Sequence, residues 1–502
     1  MKGATRRQFL KSSLAAVGAC QLPALALAGV GPSKAAGPNA QVRIAVVGLG
    51  GINTVGGVGG RGRQLIDRLR TIPTAKIVAL CDIDQAILDH EVGKFKDRHE
   101  NVTVYHDMRQ VFDDKNVDAV MLAIPNHWHA LGTIWACQAG KDVYVEKPFS
   151  YNIWEGQQAV AAARKYGRLV QVGTQSRSSS SLHQAFDYLR SGQLGAIRFA
   201  HAILYRGRQG IGKVDGPMPV PATLNYDTWC GPAPKGPLMR KQLHYDWHWV
   251  WATGNGEMGN NGAHCVDVCR WALGQNQPAP RAMSIGGRFG FNDDGETANT
   301  QIAIWDYQPA PIICEIRNLS VAKGEKPLGV FRNVTSNNVI DCEGGYYTGN
   351  STGGAIFDHH DKKIKDLGDK LKPQDIEVSH VANFVAAVAS RKAGDLHAEA
   401  QVGHVSAACL HMANISHRLG KQAPPEAIQD AIRPGAELSD SFQRCREYLR
   451  ANGVDLGATP AVLGPWVSFD AQKECFVNEF AEQANALCHR DYRAPFTVPK
   501  IV

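Results

Sequence analysis

Short runs of β-branched and aliphatic residues alternate with amphipathic stretches between residues 41 and 172. Such unbroken apolar runs are typical of strands buried on both faces of a parallel sheet. Strands are predicted over 41–47, 75–81, 117–124, 142–146 and 169–172. The spacing of apolar residues between them predicts helices over 63–70, 86–98, 130–139 and 153–166. This alternation indicates an α/β fold, in which right-handed crossovers connect the strands of a doubly wound parallel sheet.

The pattern changes in the second half of the chain, where strand-like runs stand farther apart. Strands are predicted over 197–205 and 301–305, with a turn at 291–295, and they indicate a more open sheet. Helical patterns cover 380–390, 397–419, 439–451 and 475–488. We expect the last two helices to pack as a C-terminal extension or to contact another subunit, as in a homo-oligomer.

The chain has 502 residues, more than a single core usually organises, so at least two domains are expected. The net charge is +7, but the first 36 residues contain five Lys or Arg and no acid, so the rest carries only about +2. A net charge this small does not indicate nucleic-acid binding. The 12 cysteines include no Cys-x-x-Cys pair, which excludes a zinc ribbon and a disulfide scaffold.

Residues 1–36 have the pattern of an export signal. Arg6 and Arg7 precede Phe-Leu-Lys and a mildly apolar stretch, as in a twin-arginine signal. Gly, Gln and Pro interrupt that stretch, so no membrane-spanning segment is predicted. Cleavage near 26–28 would release a periplasmic or otherwise exported protein, whereas cleavage before Cys20 would leave it lipid-anchored. A chance arginine pair is the third possibility.

Glycines follow the first predicted strand as in a dinucleotide-binding loop. Gly48 and Gly50 begin the fingerprint, and Gly62 completes it if residues 51–59 bulge out as an insertion. Gly57, Gly59 and Gly62 also match internally. Asp82 ends the second strand, where a carboxylate accepts the ribose hydroxyls of NAD and repels the additional phosphate of NADP. The sequence therefore predicts NAD rather than NADP as the cofactor.

Two further motifs follow buried strands, namely Ala-Ile-Pro-Asn-His-Trp-His at 123–129 and Glu-Lys-Pro at 146–148. Together with the glycine loop, they resemble the Gfo/Idh/MocA family of sugar and polyol oxidoreductases over about residues 41–420. The resemblance implies that Glu146 lies near the nicotinamide ribose and that Lys147 reaches the substrate hydroxyl. It places Asn126 and His129 beside the nicotinamide, and the proline at 148 after a cis bond.

The resemblance also implies a domain organisation. Residues 39–176 would form an NAD-binding Rossmann domain. Residues 177–420 would form a substrate-binding α+β domain with an open, mostly antiparallel sheet, and residues 421–502 an extension. The aromatic segment 244–251, which includes Trp249, suits a carbohydrate, because sugar C–H faces stack on aromatic rings.

Asn260 and His264 lie four residues apart on a predicted helix and therefore share a face, with Asp267 one turn on. The resemblance places His264 at the position of the family's proton-transfer residue and Asn260 at a substrate-binding position. Most members of the family have Asp where Asn260 stands. An amide can orient His264 or a sugar hydroxyl, but it cannot stabilise an imidazolium through charge. Asp267 could take over that charge, or it could only orient its neighbours.

These features predict an exported, NAD-dependent oxidoreductase that acts on a sugar, polyol or glycoside. The proposed catalytic residues are Lys147 and His264. The alternative is an NAD-dependent glycosidase that works through a transient keto sugar without net redox change, and a non-catalytic sugar-binding relative is a third class. No metal is expected, because Cys265 and Cys269 near His264 have no further ligands to complete a site.

Overall fold

The computed structural model describes residues 41–53, 59–332, 334–368, 371–433 and 435–502. The expected export signal, including Cys20, lies outside the described residues, as does Gly57 of the alternative glycine match. In the described part of the chain, no helix is both long enough and apolar enough to span a bilayer.

A six-stranded parallel sheet organises the first part of the described chain, in the order β3-β2-β1-β4-β5-β6. Its strands are β1 (Val42–Val47), β2 (Ala75–Cys81), β3 (Thr103–Tyr105), β4 (Ala119–Leu122), β5 (Asp142–Val145) and β6 (Val170–Val172). The helices between them are α1 (Arg61–Leu69), α2 (Gln85–Asp97), α3 (Met108–Asp113), α4 (His129–Gln138) and α5 (Ile153–Lys165). The predicted parallel α/β fold is therefore confirmed.

Burial explains which elements the sequence pattern could detect. Five of the six residues of β1 are buried, and β4 and β5 are buried throughout. These strands give the unbroken apolar runs seen in the sequence. By contrast, β3 is three residues long and largely exposed, and α3 has six residues. Neither element gives enough periodicity to be predicted.

A second, mixed sheet follows and contains twelve strands among the described residues. Strand pairing is antiparallel except between β7 and β10, which confirms the predicted open, mostly antiparallel sheet. The strands along its main path have the order β14-β13-β12-β11-β7-β10-β9-β8-β16-β15. They are β7 (Ile197–Tyr205), β8 (Arg281–Gly287), β9 (Thr300–Trp305), β10 (Ile312–Arg317), β11 (Ser336–Cys342), β12 (Gly345–Asn350), β13 (Gly353–Phe357), β14 (Lys363–Leu367), β15 (Lys421–Ala423) and β16 (Ala461–Leu463).

One long helix packs against both sheets. Helix α10 (Ala400–Leu419) contributes Ala400 and Ala407 to the core of the first sheet and Ala408 through Ile415 mainly to the core of the second. Fifteen of its 20 residues are buried. The other helices of this part are α6 (Ser180–Arg190), α7 (Tyr226–Cys230), α8 (Ala263–Ala272) and α9 (Pro373–Ser390).

Residues 421–502 extend both cores. Strands β17 (Val467–Asp470) and β18 (Cys475–Val477) continue the second sheet beside β8. Helices α11 (Pro425–Ile432) and α12 (Ala436–Ala451) cover one face of that sheet. Farther along, Phe496 and Val498 enter the core of the first sheet.

The prediction of a helix over 475–488 was wrong. That stretch forms β18, a turn and the short helix α13 (Ala481–Ala486). Within this stretch Asn478 adopts a positive φ angle of 71°, which a continuous right-handed helix cannot contain.

Replacement of Phe442 by alanine tests whether α12 belongs to the core. Phe442 is 1% exposed against the isoleucines of β8, β9 and β10, so Phe442→Ala should lower the free energy of unfolding by about 3–5 kcal/mol. The urea midpoint measures this change. The neighbouring exposed residue provides the control, and Gln443→Ala should change the midpoint little. Equal midpoints for both variants would contradict the packing of α12.

Candidate functional site

The carboxyl ends of β1, β2, β4 and β5 meet at one edge of the first sheet, which is where open α/β sheets bind ligands. A cavity of about 420 Å³ lies there, between this edge and groups from the second sheet. Nine of the eleven residues predicted for the site line it, namely Gly48, Gly50, Asp82, Asn126, His129, Glu146, Lys147, Asn260 and His264. The other two, Gly62 and Trp249, lie outside the lining.

Gly48 and Gly50 form a tight turn at the end of β1. Their φ angles are +82° and +80°, and an added Cβ would lie 2.6 Å from the Ala123 carbonyl oxygen or 2.2 Å from that of Gly59, respectively. Both positions therefore require glycine. A Cβ at Gly62 would lie 1.9 Å from the Gly48 carbonyl oxygen. Gly62 thus lets α1 approach the strand closely and does not itself contact the cavity.

Asp82 holds the glycine turn from the end of β2. Its carboxylate accepts hydrogen bonds from the N–H groups of Leu49 at 2.8 Å and Asp84 at 3.1 Å. Burial raises the pKa of Asp82, although these two hydrogen bonds oppose that shift. The residue borders the cavity and fixes the loop where a dinucleotide would lie.

Glu146 follows β5 and is paired with Arg61, the first residue of α1. The Arg61 Nε atom donates to the carboxylate at 2.7 Å, and another nitrogen of the guanidinium lies 3.3 Å from Glu377. Burial alone would raise the pKa of Glu146, but its hydrogen bond with Arg61 and the attraction of Arg61 and Lys147 together outweigh burial and hold the pKa below its usual value. Glu146 is therefore a carboxylate whose charge is already balanced.

The sequence pattern did not indicate that Arg61 belongs to the site, although the residue lies directly before Gly62 of the glycine fingerprint. Its Nη2 atom is buried and has no hydrogen-bond partner among the described residues. The side chain lines the cavity at the start of a nine-residue helix that no side chain caps. A buried free donor beside helix N–H groups suits a phosphate oxygen, so these residues fit the pyrophosphate of a dinucleotide.

Lys147 extends across the cavity to Asn260, which lies just before a helix packed on the second sheet. Its Nζ atom donates to the Asn260 carbonyl oxygen at 2.8 Å and to the Asn260 side-chain oxygen at 2.9 Å. Burial lowers the pKa of Lys147 to about 8, and the attraction of Glu146 only partly offsets this effect. The following peptide bond to Pro148 is cis, as the sequence resemblance implied.

His264 lines the same cavity from the first turn of α8. A π-helical turn, Met258–Gly262, precedes α8 and carries Asn260. Burial, together with the positive charge of Lys147, lowers the pKa of His264 to about 3. The imidazole is therefore neutral at physiological pH, and among the described residues it has no hydrogen-bond partner. It is free to accept a proton from a ligand.

Asp267 does not replace the missing carboxylate beside His264. Its two oxygens accept bonds from the Arg177 guanidinium, both at 2.8 Å, and from the Ser406 hydroxyl at 2.6 Å. Burial would raise the pKa of Asp267, but Arg177 lowers it. Asp267 thus anchors α8, and in the described part of the chain His264 has no charged hydrogen-bond partner.

Asn126 and His129 connect elements around the cavity. The Asn126 amide donates to the Asn255 side chain at 3.0 Å. The two ring nitrogens of His129 lie 2.6 Å from the Pro148 carbonyl oxygen and 2.7 Å from that of Ile124. His129 therefore ties the end of β4 to the cis peptide that follows Lys147, and it positions rather than reacts.

Trp249 is not a cavity residue, which corrects the expectation that it contacts the substrate. Its ring is 5% exposed, and it packs with Ile211 and Tyr245 beneath the Arg208 guanidinium. The neighbouring Trp247 lines the cavity instead. An aromatic cluster in the sequence could not indicate which ring faces the ligand, because the segment folds irregularly and has no constant periodicity.

Residues 223–249, here called the cover segment, pack against the first sheet's ligand edge. The Gln85 N–H donates to the Thr223 carbonyl at 3.0 Å, and the Asn225 N–H donates to the Ile83 carbonyl at 3.2 Å. His244 Nε2 lies 3.0 Å from the Asp84 carboxylate. The cover segment therefore spans the cavity beside the end of β2.

Metal chemistry has no candidate site in the described ranges. They contain no group of three or more His, Cys, Asp or Glu side chains that could hold a metal ion.

Both halves of this architecture match one known family. Residues 42–174 match the NAD-binding Rossmann fold of the Gfo/Idh/MocA oxidoreductase family, and residues 198–310 match that family's C-terminal alpha/beta domain. The two matches include the strand ends that border the cavity and the start of α8. The chain therefore belongs to the Gfo/Idh/MocA oxidoreductase family. Its first sheet, together with the helices between the strands, forms an NAD-binding Rossmann domain.

Individual relatives cover only part of the chain. Inositol 2-dehydrogenase of Salmonella typhimurium is 31% identical over 155 residues, 30% of this chain and 44% of that protein. A glycosyl hydrolase family 109 protein of Shewanella baltica is 30% identical over 171 residues, 32% of this chain and 37% of that protein. The chain thus matches less than half the length of these curated relatives.

Solved structures share the fold over a longer region. The WlbA dehydrogenase from Bordetella pertussis, in complex with NADH and UDP-GlcNAcA, superimposes with a TM-score of 0.51 at 18% identity. The alignment covers 73% of this chain and 93% of that one.

The contact between Lys147 and Asn260 should control the pKa of Lys147. In Asn260→Asp, a carboxylate replaces the neutral amide oxygen 2.9 Å from Nζ, so the pKa of Lys147 should rise above its value of about 8. Acetylation of the neutral amine at different pH values, followed by peptide mass spectrometry, measures the midpoint. The exposed Lys165 serves as the internal control, and its acetylation should be the same in both proteins. An unchanged Lys147 midpoint would contradict the proposed contact.

Proposed function

We propose that the protein is an NAD-dependent oxidoreductase that acts on the carbinol group of a sugar, polyol or glycoside. The observation that carries this proposal is the convergence of Lys147 and His264 on one cavity beside the NAD-binding loop. Lys147 follows a strand of the first sheet, and His264 begins a helix packed on the second. A substrate between them would face a cation and a neutral base.

The two side chains suit complementary parts of alcohol oxidation. His264 has no hydrogen-bond partner among the described residues, so its ring can accept the hydrogen bond of the substrate hydroxyl and take the proton as the hydride leaves. The Lys147 ammonium, already directed by Asn260, can stabilise the negative charge that develops on the same oxygen. NAD, when bound, supplies the hydride acceptor.

Several residues of this chain would hold the cofactor. The glycine turn and Arg61 fit the pyrophosphate, and Asp82 fits the ribose hydroxyls of the adenosine half. A carboxylate at Asp82 repels the extra phosphate of NADP, which supports NAD as the preferred cofactor. Asn126 and Glu146 border the cavity on the side of Lys147, where the nicotinamide half would lie.

The second candidate function is an NAD-dependent glycosidase in which the cofactor is reduced and reoxidised within one catalytic cycle. The cover segment favours this candidate, because its contacts with residues 83–85 would have to open before NAD could leave. A retained cofactor suits a reaction without net redox change. The partial similarity to a glycosyl hydrolase family 109 protein is weak support in the same direction.

Replacement of either proposed catalytic residue should abolish most turnover. General acid–base help is worth about 10²–10⁴-fold, so Lys147→Ala and His264→Ala should each lower kcat by about that factor while NAD still binds. NADH absorbance and product release measure turnover on a panel of sugars and aryl glycosides. Matched controls are Lys165→Ala and His359→Ala, which change exposed residues outside the cavity. Full activity of both site variants would exclude the proposed site.

The wild-type enzyme distinguishes the two functions in the same assay. Steady accumulation of NADH with added NAD indicates a dehydrogenase. Glycoside cleavage without added NAD and without net NADH, together with NAD released on denaturation of the purified protein, indicates the glycosidase.

We also propose export through the twin-arginine route, which transports folded proteins together with their cofactors. The support is the order of Arg6, Arg7 and the apolar stretch in the sequence. Arg6→Lys combined with Arg7→Lys should leave the precursor in the cytoplasm of the native host, as cell fractionation would detect. The wild-type protein is the control. Labelling with palmitate that depends on Cys20 would identify the lipid-anchored form, and undiminished export of the double variant would contradict the proposal.

A further inference from the structure

The cations around the substrate side of the cavity are not all balanced. Arg61 is paired with Glu146, and the Arg208 guanidinium forms two bonds of 3.0 Å with the Glu257 carboxylate. Arg206 forms no ion pair with a carboxylate of the described residues. Its only side-chain hydrogen bond there is donated to the Asn261 side chain at 3.2 Å. One guanidinium in the cavity wall therefore has a charge that no described acid neutralises.

The position of Arg206 links this free charge to the proposed reaction. Arg206 directly follows β7, and its side chain contacts Asn261, the neighbour of the Asn260 that orients Lys147. Both Arg206 and Lys147 line the cavity, and the side chain of Arg206 is exposed. A ligand that reacts at Lys147 thus has a free guanidinium within the same cavity.

We propose that the substrate is a sugar acid, whose carboxylate binds Arg206 while its reacting hydroxyl lies at Lys147. This inference rests on the proposed function. A guanidinium matches the planar geometry of a carboxylate and can donate two parallel hydrogen bonds to it. Because Lys147 serves the reacting hydroxyl in this arrangement, Arg206 alone is left to balance the charge of the substituent, which favours a singly charged carboxylate over a doubly charged phosphate ester.

The experiment compares neutral and acidic sugars of equal stereochemistry on the NAD-loaded enzyme. The pairs are D-glucose with D-glucuronate and D-galactose with D-galacturonate, and glucose 6-phosphate is the phosphate probe. Quenching of tryptophan fluorescence measures binding, since Trp229 and Trp247 line the cavity. NADH absorbance measures the reaction separately. We expect tighter binding of at least one uronate than of its neutral partner, and this preference should weaken with salt.

Arg206→Gln should reduce uronate affinity by about 10–100-fold, as expected for a lost hydrogen bond to a charged group. Arg206→Lys should retain part of the affinity, because lysine keeps the positive charge but lacks the two parallel N–H donors of the guanidinium. Arg433→Gln is the matched control, since Arg433 lies on the surface after α11 and away from the cavity. An unchanged uronate preference in Arg206→Gln would overturn the inference.

The two readouts separate the inference from the proposed function. Uronate binding that depends on Arg206 without NADH formation supports the carboxylate site and counts against net oxidation of that sugar. NADH formation from neutral sugars alone supports the oxidoreductase and overturns the carboxylate site. Preferential binding of glucose 6-phosphate would replace the carboxylate by a phosphate and likewise overturn it. If no probe binds and none reacts, both proposals are overturned.

Discussion

The close packing of α10 against both sheets is the constraint on which the site depends. The cavity needs groups from two sheets at fixed positions, and α10 contributes to both cores. Small residues allow this packing. A Cβ added at Gly403 would lie 2.3 Å from the Val172 side chain, so the helix can approach the first sheet only with glycine there. The positions of Lys147 and His264 relative to each other follow from this packing.

Charge pairing then determines the chemical character of the cavity. Its carboxylate at Glu146 is neutralised by Arg61, and Asp267 is neutralised by Arg177 behind α8. The side chains of His264 and Lys147 are consequently left without charged hydrogen-bond partners among the described residues. Asn260 in place of a carboxylate completes this arrangement, because its oxygens orient the ammonium but carry no negative charge to attract it. Burial therefore favours the uncharged form of both groups.

The sequence predicted those parts of the molecule that depend on local pattern. The buried strands of the first sheet have apolar runs, and Gly48, Gly50 and Asp82 stand at strand ends where the topology itself brings them together. Arg61 was missed because its role depends on a partner 85 residues away. Trp249 was misplaced because ring orientation in an irregular segment depends on tertiary packing. The fold of 475–488 depends on the positive φ angle of Asn478, which periodicity does not indicate.

The return of the chain to its first sheet has a consequence for synthesis on the ribosome. Phe496 and Val498 pack in a core whose strands end at residue 172, and Phe496 contacts the Trp128 ring edge-on. The Rossmann domain therefore cannot bury its full apolar surface while the chain is still being translated. Its last packing step comes after more than 300 further residues have been added. The apolar surface that Phe496 and Val498 cover therefore stays in contact with water until the chain is nearly finished.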